Sequence, residues 1–161
     1  MQNSTPFFKR QLVNVRTGVV AVFFLVALIG FADATFLTIE HYRGVIPPCT
    51  TAGCDTVLSS AYSTVAGIPV SLIGALYYFA IAIGAFIYLE SQLSSGSVGP
   101  RQLGILKWAF FATILGLIAS ITLVCLMAFV IHSWCQYCIG SAITSTMLFL
   151  IAAYAVRKYL R

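Results

Sequence analysis

Between positions 108 and 156 the sequence contains no Asp, Glu, Lys or Arg. A helix crosses the hydrocarbon core of a bilayer in about 20 residues, so this run is too long for one crossing and too short for three. It must turn once. The natural turn is His132-Ser133-Trp134, which places an imidazole, a hydroxyl and an interface-seeking indole between two apolar runs. Two further uncharged runs, 17–32 and 56–89, precede it. With 60% hydrophobic and 8% charged residues and a mean hydropathy of +0.98, there is too little polar surface to cover a soluble globule. The expectation is an all-α polytopic membrane protein, a single membrane domain over 1–161. Its four spans fall at about 17–39, 69–89, 103–131 and 135–155, with a loop and short helical cap over 40–66.

Pro69 suits the first turn of the second span, where a missing backbone donor costs nothing. Residues 91–100 read as a flexible polar connection broken by Gly96, Gly99 and Pro100. Basic residues, an apolar run and Ala32-Asp33-Ala34 also resemble a cleaved secretion signal. The apolar run resumes as Thr35-Phe36-Leu37-Thr38-Ile39, as a span would, so 17–39 is read as retained.

Lys9, Arg10, Arg16, Arg101, Lys107, Arg157, Lys158 and Arg161 fall at one end of this arrangement and only Arg43 at the other. By the positive-inside rule both termini face the cytoplasm, and 40–66 and the His132 turn lie outside. The net charge of +5 is then a topology signal and calls for no nucleic-acid partner.

Four of the five cysteines form two close pairs on that outer side, Cys49/Cys54 and Cys135/Cys138. At the start of the fourth helix, unpaired backbone N–H groups and the positive end of the helix dipole favour a thiolate, which makes Cys135-Gln136-Tyr137-Cys138 a capable disulfide exchanger. Cys138 falls about 4.5 Å deeper than Cys135 along the axis. On a helix start bordering the lipid, it can meet an apolar electron acceptor while Cys135 meets what arrives from the loop. The bland alternative, two small residues near each other by chance, is weak on an oxidising membrane face. The Cys49/Cys54 pair surrounds Gly53 and follows Pro47-Pro48; four intervening residues let a disulfide close, either as a loop staple or as an exchange partner able to swing toward the membrane. The same four sulfurs also have zinc-ligand spacing. Cys125, alone in the third span, reads as an inert packing residue.

These residues carry a resemblance. The order of Cys49/Cys54, then Asp55-Thr56-Val57-Leu58-Ser59-Ser60, then Gly67-Ile68-Pro69-Val70-Ser71, then CxxC heading the fourth helix resembles the vitamin K epoxide reductase family, particularly its bacterial and archaeal members, over nearly the whole chain. The resemblance implies a four-helix bundle around a quinone, of ubiquinone or menaquinone type, with a short amphipathic stretch covering the pocket. It implies that Cys49 exchanges with a partner dithiol, Cys54 passes the disulfide to Cys135, Cys138 faces the quinone, and Ser60 hydrogen-bonds near the ring. Taken alone, Ser60 is equally a helix-end hydroxyl satisfying backbone. Members that reduce the epoxide carry an asparagine where this chain has Val70 and a tyrosine where it has Ala142, which argues against epoxide reduction. Many relatives carry a fused thioredoxin-like domain; this chain ends at Arg161 without one, so a separate periplasmic thioredoxin-like partner is expected.

The expected activity is a quinone-dependent thiol oxidoreductase of the cell inner membrane that supports disulfide bond formation. The disulfide bond formation protein B type resembles it in span and cysteine number but has the two cysteine motifs in the opposite order. The alternatives are a metal-binding structural membrane protein and a quinone or vitamin K epoxide reductase. Asp33, costly at a span's centre by about 2.5–3.5 kcal/mol, is read as a structural hydrogen-bonding group or as a proton supply to the quinone. His41 and His132 are candidates for proton exchange. Tyr42, Tyr62, Trp134 and Tyr137 read as interface anchors, and Phe36, Leu37, Tyr78 and Phe129 as unranked candidates for the quinone wall.

Overall fold

The computed structural model describes residues 6–50, 53–95 and 100–159, and the side chains among them except at 6–16, 95, 100–103 and 159. Its long elements are helices α1 (Pro6–Arg43), α3 (Val70–Ser95), α4 (Pro100–Leu126) and α5 (Gln136–Tyr159), with a five-residue helix α2 (Cys54–Leu58) between the first two. Each long helix contains a stretch able to cross a membrane: Thr17–Arg43, Val70–Ser94, Gly104–Ile131 and Gln136–Lys158. The expected all-α architecture with four spans is therefore present. α1 packs chiefly on α3 and α5, and α4 on α5, with a lighter α3–α4 contact closing the ring in the order α3, α1, α5, α4.

The helices are inside-out by the standards of a soluble bundle. Ala27, Ala34, Ala75, Ala82, Ala85, Ala109, Ala152 and Ala155 are buried, whereas Leu25, Ile29, Phe111, Leu115 and Phe129 are more than half exposed. Lipid supplies no hydrophobic drive between helices, so close packing through small side chains holds them, and the large apolar ones meet the acyl chains. Tyr78 is the main polar tie. Its hydroxyl donates to the Ser141 carbonyl at 2.8 Å and lies 2.9 Å from Thr144 Oγ1, joining α3 to α5. On the other side its ring fills the space over Gly30 of α1, where a Cβ would fall 2.5 Å from Tyr78 Cε1.

The boundaries differ from the sequence reading where local geometry intervenes. α1 continues past residue 39 to Arg43 and stops at Gly44, whose φ of +65° lets the Val45 N–H reach back to the Glu40 carbonyl. Pro69 is not in the helix. It closes a two-strand hairpin, β1 (Thr64–Val65) and β2 (Ile68–Pro69), whose turn residues Ala66 and Gly67 both have positive φ as a tight hairpin demands. Residues 91–95 are the last turn of α3 rather than loop, and Pro100 opens α4, the helical position where proline fits best. Gly96 and Gly99 lie outside the described residues. α4 ends in a π-helical turn, Met127–Ile131, and His132 breaks it in the left-handed conformation.

The tie at Tyr78 predicts two stability effects, measured by reversible unfolding in detergent. Tyr78→Phe should cost about 1 kcal/mol for the lost interhelical hydrogen bonds. Gly30→Ala should cost about 1–3 kcal/mol, because its methyl must displace the ring.

Candidate functional site

α1 ends at the same end of the bundle where α3 and α5 begin, and the chain from Pro47 to Leu58 crosses that end. Cys49 and Cys54 are disulfide-bonded with their Cα atoms 6.2 Å apart, an ordinary spacing for such a bond. Gly53, just before α2, lies against the turn between α4 and α5. A Cβ there would fall 2.8 Å from the Trp134 nitrogen and 2.9 Å from its carbonyl oxygen. Only glycine allows this approach, which delivers Cys54 to Cys135. Both are buried, with Val57 and Met127, in one cluster that Cys49 and Cys138 border. The four sulfur-bearing residues thus meet at one end of the bundle, the loop pair bonded and Cys135 and Cys138 as free thiols.

Cys135 is the residue ahead of α5, and its carbonyl accepts the first helical hydrogen bond, from Ile139 at 3.0 Å. Its sulfur accepts the Cys138 N–H at 3.4 Å, as a capping serine oxygen would. The adjoining Cys138 thiol, together with the backbone N–H groups of Cys138 and Tyr137, lowers the Cys135 thiol to about 7 against the opposing effect of burial. Cys135 lies just outside the membrane-spanning stretch of α5, and the sequence expectation of a thiolate-favouring helix start has this physical basis.

The two residues inside the CxxC hold the loop. The Gln136 side-chain oxygen accepts from the Thr50 N–H at 3.1 Å and from the Thr50 hydroxyl, and the Tyr137 hydroxyl donates to the Pro48 carbonyl at 2.8 Å. Tyr137 also packs its ring on Phe36 at 5.8 Å. Tyr137, expected as an interface anchor, also ties the loop to α5. Tyr42 and Trp134 are exposed, and Tyr62 lines the cavity described next.

Beneath the cap, the four long helices line a partly open cavity of about 610 Å³. Of the four paired cysteines, Cys138 alone lies on its wall. The CxxC thus faces the bundle interior rather than the lipid, a correction that follows from the packing of α5 against both α1 and α4. Asp33, His41 and Ser60 share the wall. Ser60 Oγ donates to the Val57 carbonyl at 2.7 Å, so its helix-end role is filled while it borders the cavity. Asp33 Oδ2 is buried with no hydrogen-bond partner. Val70 and Ala142 line the cavity, as do Leu37 and Tyr78. Phe129 points outward, 76% exposed, and His132 is exposed on its turn. Cys125 is exposed on the outer side of α4 rather than packed inside.

Sequence reasoning missed Tyr77, Ser141 and Ser145, all on the cavity wall. A signal existed: Cys138, Ser141 and Ser145 recur at helical spacing and mark one face of α5. Tyr77 and Ser145 carry further buried oxygens without a hydrogen-bond partner. A largely apolar chamber with a few unpartnered oxygens fits a lipid-soluble ring bearing polar oxygens. Among the described residues no three His, Cys, Asp or Glu side chains are arranged to hold a metal ion.

A comparison with curated proteins finds no match. The profile of the vitamin K epoxide reductase family matches residues 21–153, a stretch holding both cysteine pairs and the whole cavity wall. Its members are oxidoreductases that act on thiols or epoxides and use quinones in general. The ring of four helices, the paired cysteines and this match over most of the sequence agree, and the chain belongs to the vitamin K epoxide reductase family.

Proposed function

We propose that the protein is a quinone-dependent thiol oxidoreductase that reoxidises a periplasmic thioredoxin-fold partner, with electrons passing from Cys49/Cys54 to Cys135/Cys138 and on to a membrane quinone. The observation that carries this is the graded placement of the sulfurs: Cys49 at the loop, Cys54 and Cys135 buried together, Cys138 on the cavity wall. Eight of nine basic residues at the opposite end support an orientation with both termini in the cytoplasm and the cysteines outside the inner membrane.

The partner's thiolate attacks Cys49, Cys54 leaves, and resolution of the mixed disulfide yields the oxidised partner and a Cys49/Cys54 dithiol. Cys54 thiolate then attacks Cys135 of a Cys135–Cys138 disulfide and Cys138 leaves as a thiolate; Cys49 thiolate attacks Cys54 of the resulting Cys54–Cys135 disulfide, and Cys135 leaves as a thiolate. This restores the loop disulfide and leaves the lower pair reduced, the arrangement of bonds described above. A quinone bound in the cavity supplies a two-electron, two-proton acceptor when that pair closes to a disulfide. Asp33, whose buried Oδ2 has no partner, borders the cavity as the group that would exchange a proton with the quinone, and Ser60, whose O–H is given to the Val57 carbonyl, offers a lone pair there. The apolar side chains of Val70 and Ala142 on the wall offer an epoxide oxygen no hydrogen bond, which favours thiol oxidation over epoxide reduction.

The test mixes purified protein with a reduced thioredoxin-fold protein and a soluble quinone, following quinone absorbance and cysteine alkylation. Cys54→Ala and Cys138→Ala should each reduce turnover to the rate without protein; turnover that persists in either sinks the relay. Gly53→Ala should slow exchange between the two pairs by roughly tenfold to a hundredfold by moving Cys54 off Cys135, read as slower reduction of Cys135/Cys138 in a single turnover. The ultraviolet thiolate absorbance lost in Cys135→Ala should titrate in the wild type with a midpoint near pH 7. Because the Cys138 thiol is the main cause of that low value, the midpoint should rise toward the ordinary thiol range in Cys138→Ala.

A further inference from the structure

We infer that Tyr77 and Ser145 form a hydrogen-bonding anchor at the inner end of the cavity, which holds the ring oxygen farthest from Cys138 and so sets the depth and orientation of the bound quinone. This rests on the proposal that a quinone occupies the cavity, and it names the residues that grip it.

Three helices build the anchor. Ser145 is seven residues beyond Cys138 on α5, which places it on the same face and about 10 Å deeper. It is 1% exposed, lines the cavity, and its Oγ has no hydrogen-bond partner. Tyr77, on α3, brings its hydroxyl to the same place, also buried without a partner. Gly116 of α4 supplies the floor: a Cβ there would collide with the Tyr77 hydroxyl and lie 3.0 Å from Ser145 Oγ. The two oxygens therefore face each other across a glycine.

Donor arithmetic decides what the pair can do. Each hydroxyl has one O–H and can accept from others. If Tyr77 and Ser145 pair with each other, one O–H is used and one remains, in a chamber where an unmet donor is costly. A ligand that satisfies it must present an acceptor about 10 Å from Cys138. That separation is what a ring touching the sulfur on one side and accepting a hydrogen bond on its opposite oxygen would span. Neighbouring Tyr78 cannot serve, because its hydroxyl already bonds Ser141 and Thr144. Val70, on α3, and Ala142, on α5, sit two turns and one turn nearer the cap than Tyr77 and Ser145, so the polar contacts on these two helix faces lie deeper than the apolar positions.

The anchor is a positioning and specificity device, and its test separates binding from chemistry. Binding of decyl-ubiquinone is read by tryptophan-fluorescence quenching of the purified protein in detergent, and turnover by KM and kcat for the same quinone. Tyr77→Phe and Ser145→Ala should each raise Kd and KM by roughly three- to tenfold, the loss of one hydrogen bond, with kcat changed less than twofold. The double variant should weaken binding no more than the stronger single one. Ser145→Ala removes one oxygen from a helix face and keeps the question decidable if Tyr77→Phe lowers yield. Unchanged Kd in Ser145→Ala, or a loss of kcat with Kd and KM intact, overturns the anchor. Cys138→Ala, run alongside, separates the two proposals: if it binds the quinone but no longer reduces it while Ser145→Ala keeps wild-type Kd, the relay stands and the anchor falls. Failure of the wild type to bind either decyl-ubiquinone or a short-chain menaquinone overturns both.

Discussion

The approach of Gly53 to the backbone of Trp134 is the contact on which the proposed relay depends. A buried sulfur can exchange only with a sulfur it touches, and Cys54 is carried to Cys135 by the residue immediately before it. Around that contact, Thr50 and Pro48 are tied to Gln136 and Tyr137. The loop is therefore held by the dipeptide between the two cysteines it must reach, and the separation of the pairs is set by short-range hydrogen bonds rather than by the slack of a long connection.

The bundle meets the membrane's demand that polar groups be satisfied internally with few side chains. Thr38, Thr122 and Thr146 hydrogen-bond their own helix four residues back, and Tyr78 bridges two helices. Of the five buried side-chain oxygens without a partner among the described residues, those of Asp33, Tyr77 and Ser145 border the cavity, and those of Thr35 and Gln92 lie away from it. Most of the unmet polar capacity thus lies where a ligand can meet it, while the lower half of the bundle is closed largely by alanine contacts.

Much of this was legible in the sequence because its causes are local. Absent charges located the spans to within a few residues, and His132-Ser133-Trp134 marked the return turn. Spacing alone brought each cysteine pair together. What the sequence did not disclose depends on partners distant in the chain. Tyr137 read as a generic aromatic because its acceptor, Pro48, is 89 residues away. Tyr77 and Ser145 matter only because Gly116, on a third helix, leaves room for both hydroxyls. Pro69 moved from helix to hairpin because Ala66 and Gly67 turn the chain just before it.

The sulfur of Cys135 is at once the cap of α5 and, in the proposed relay, a redox atom. As a thiolate it is a strong acceptor for the Cys138 N–H; bonded to a second sulfur it carries no charge and accepts poorly. In that relay the grip on the first turn of α5 would tighten and slacken with each pair of electrons, and the fraying of a helix end would become a mechanical record of the oxidation state beside it.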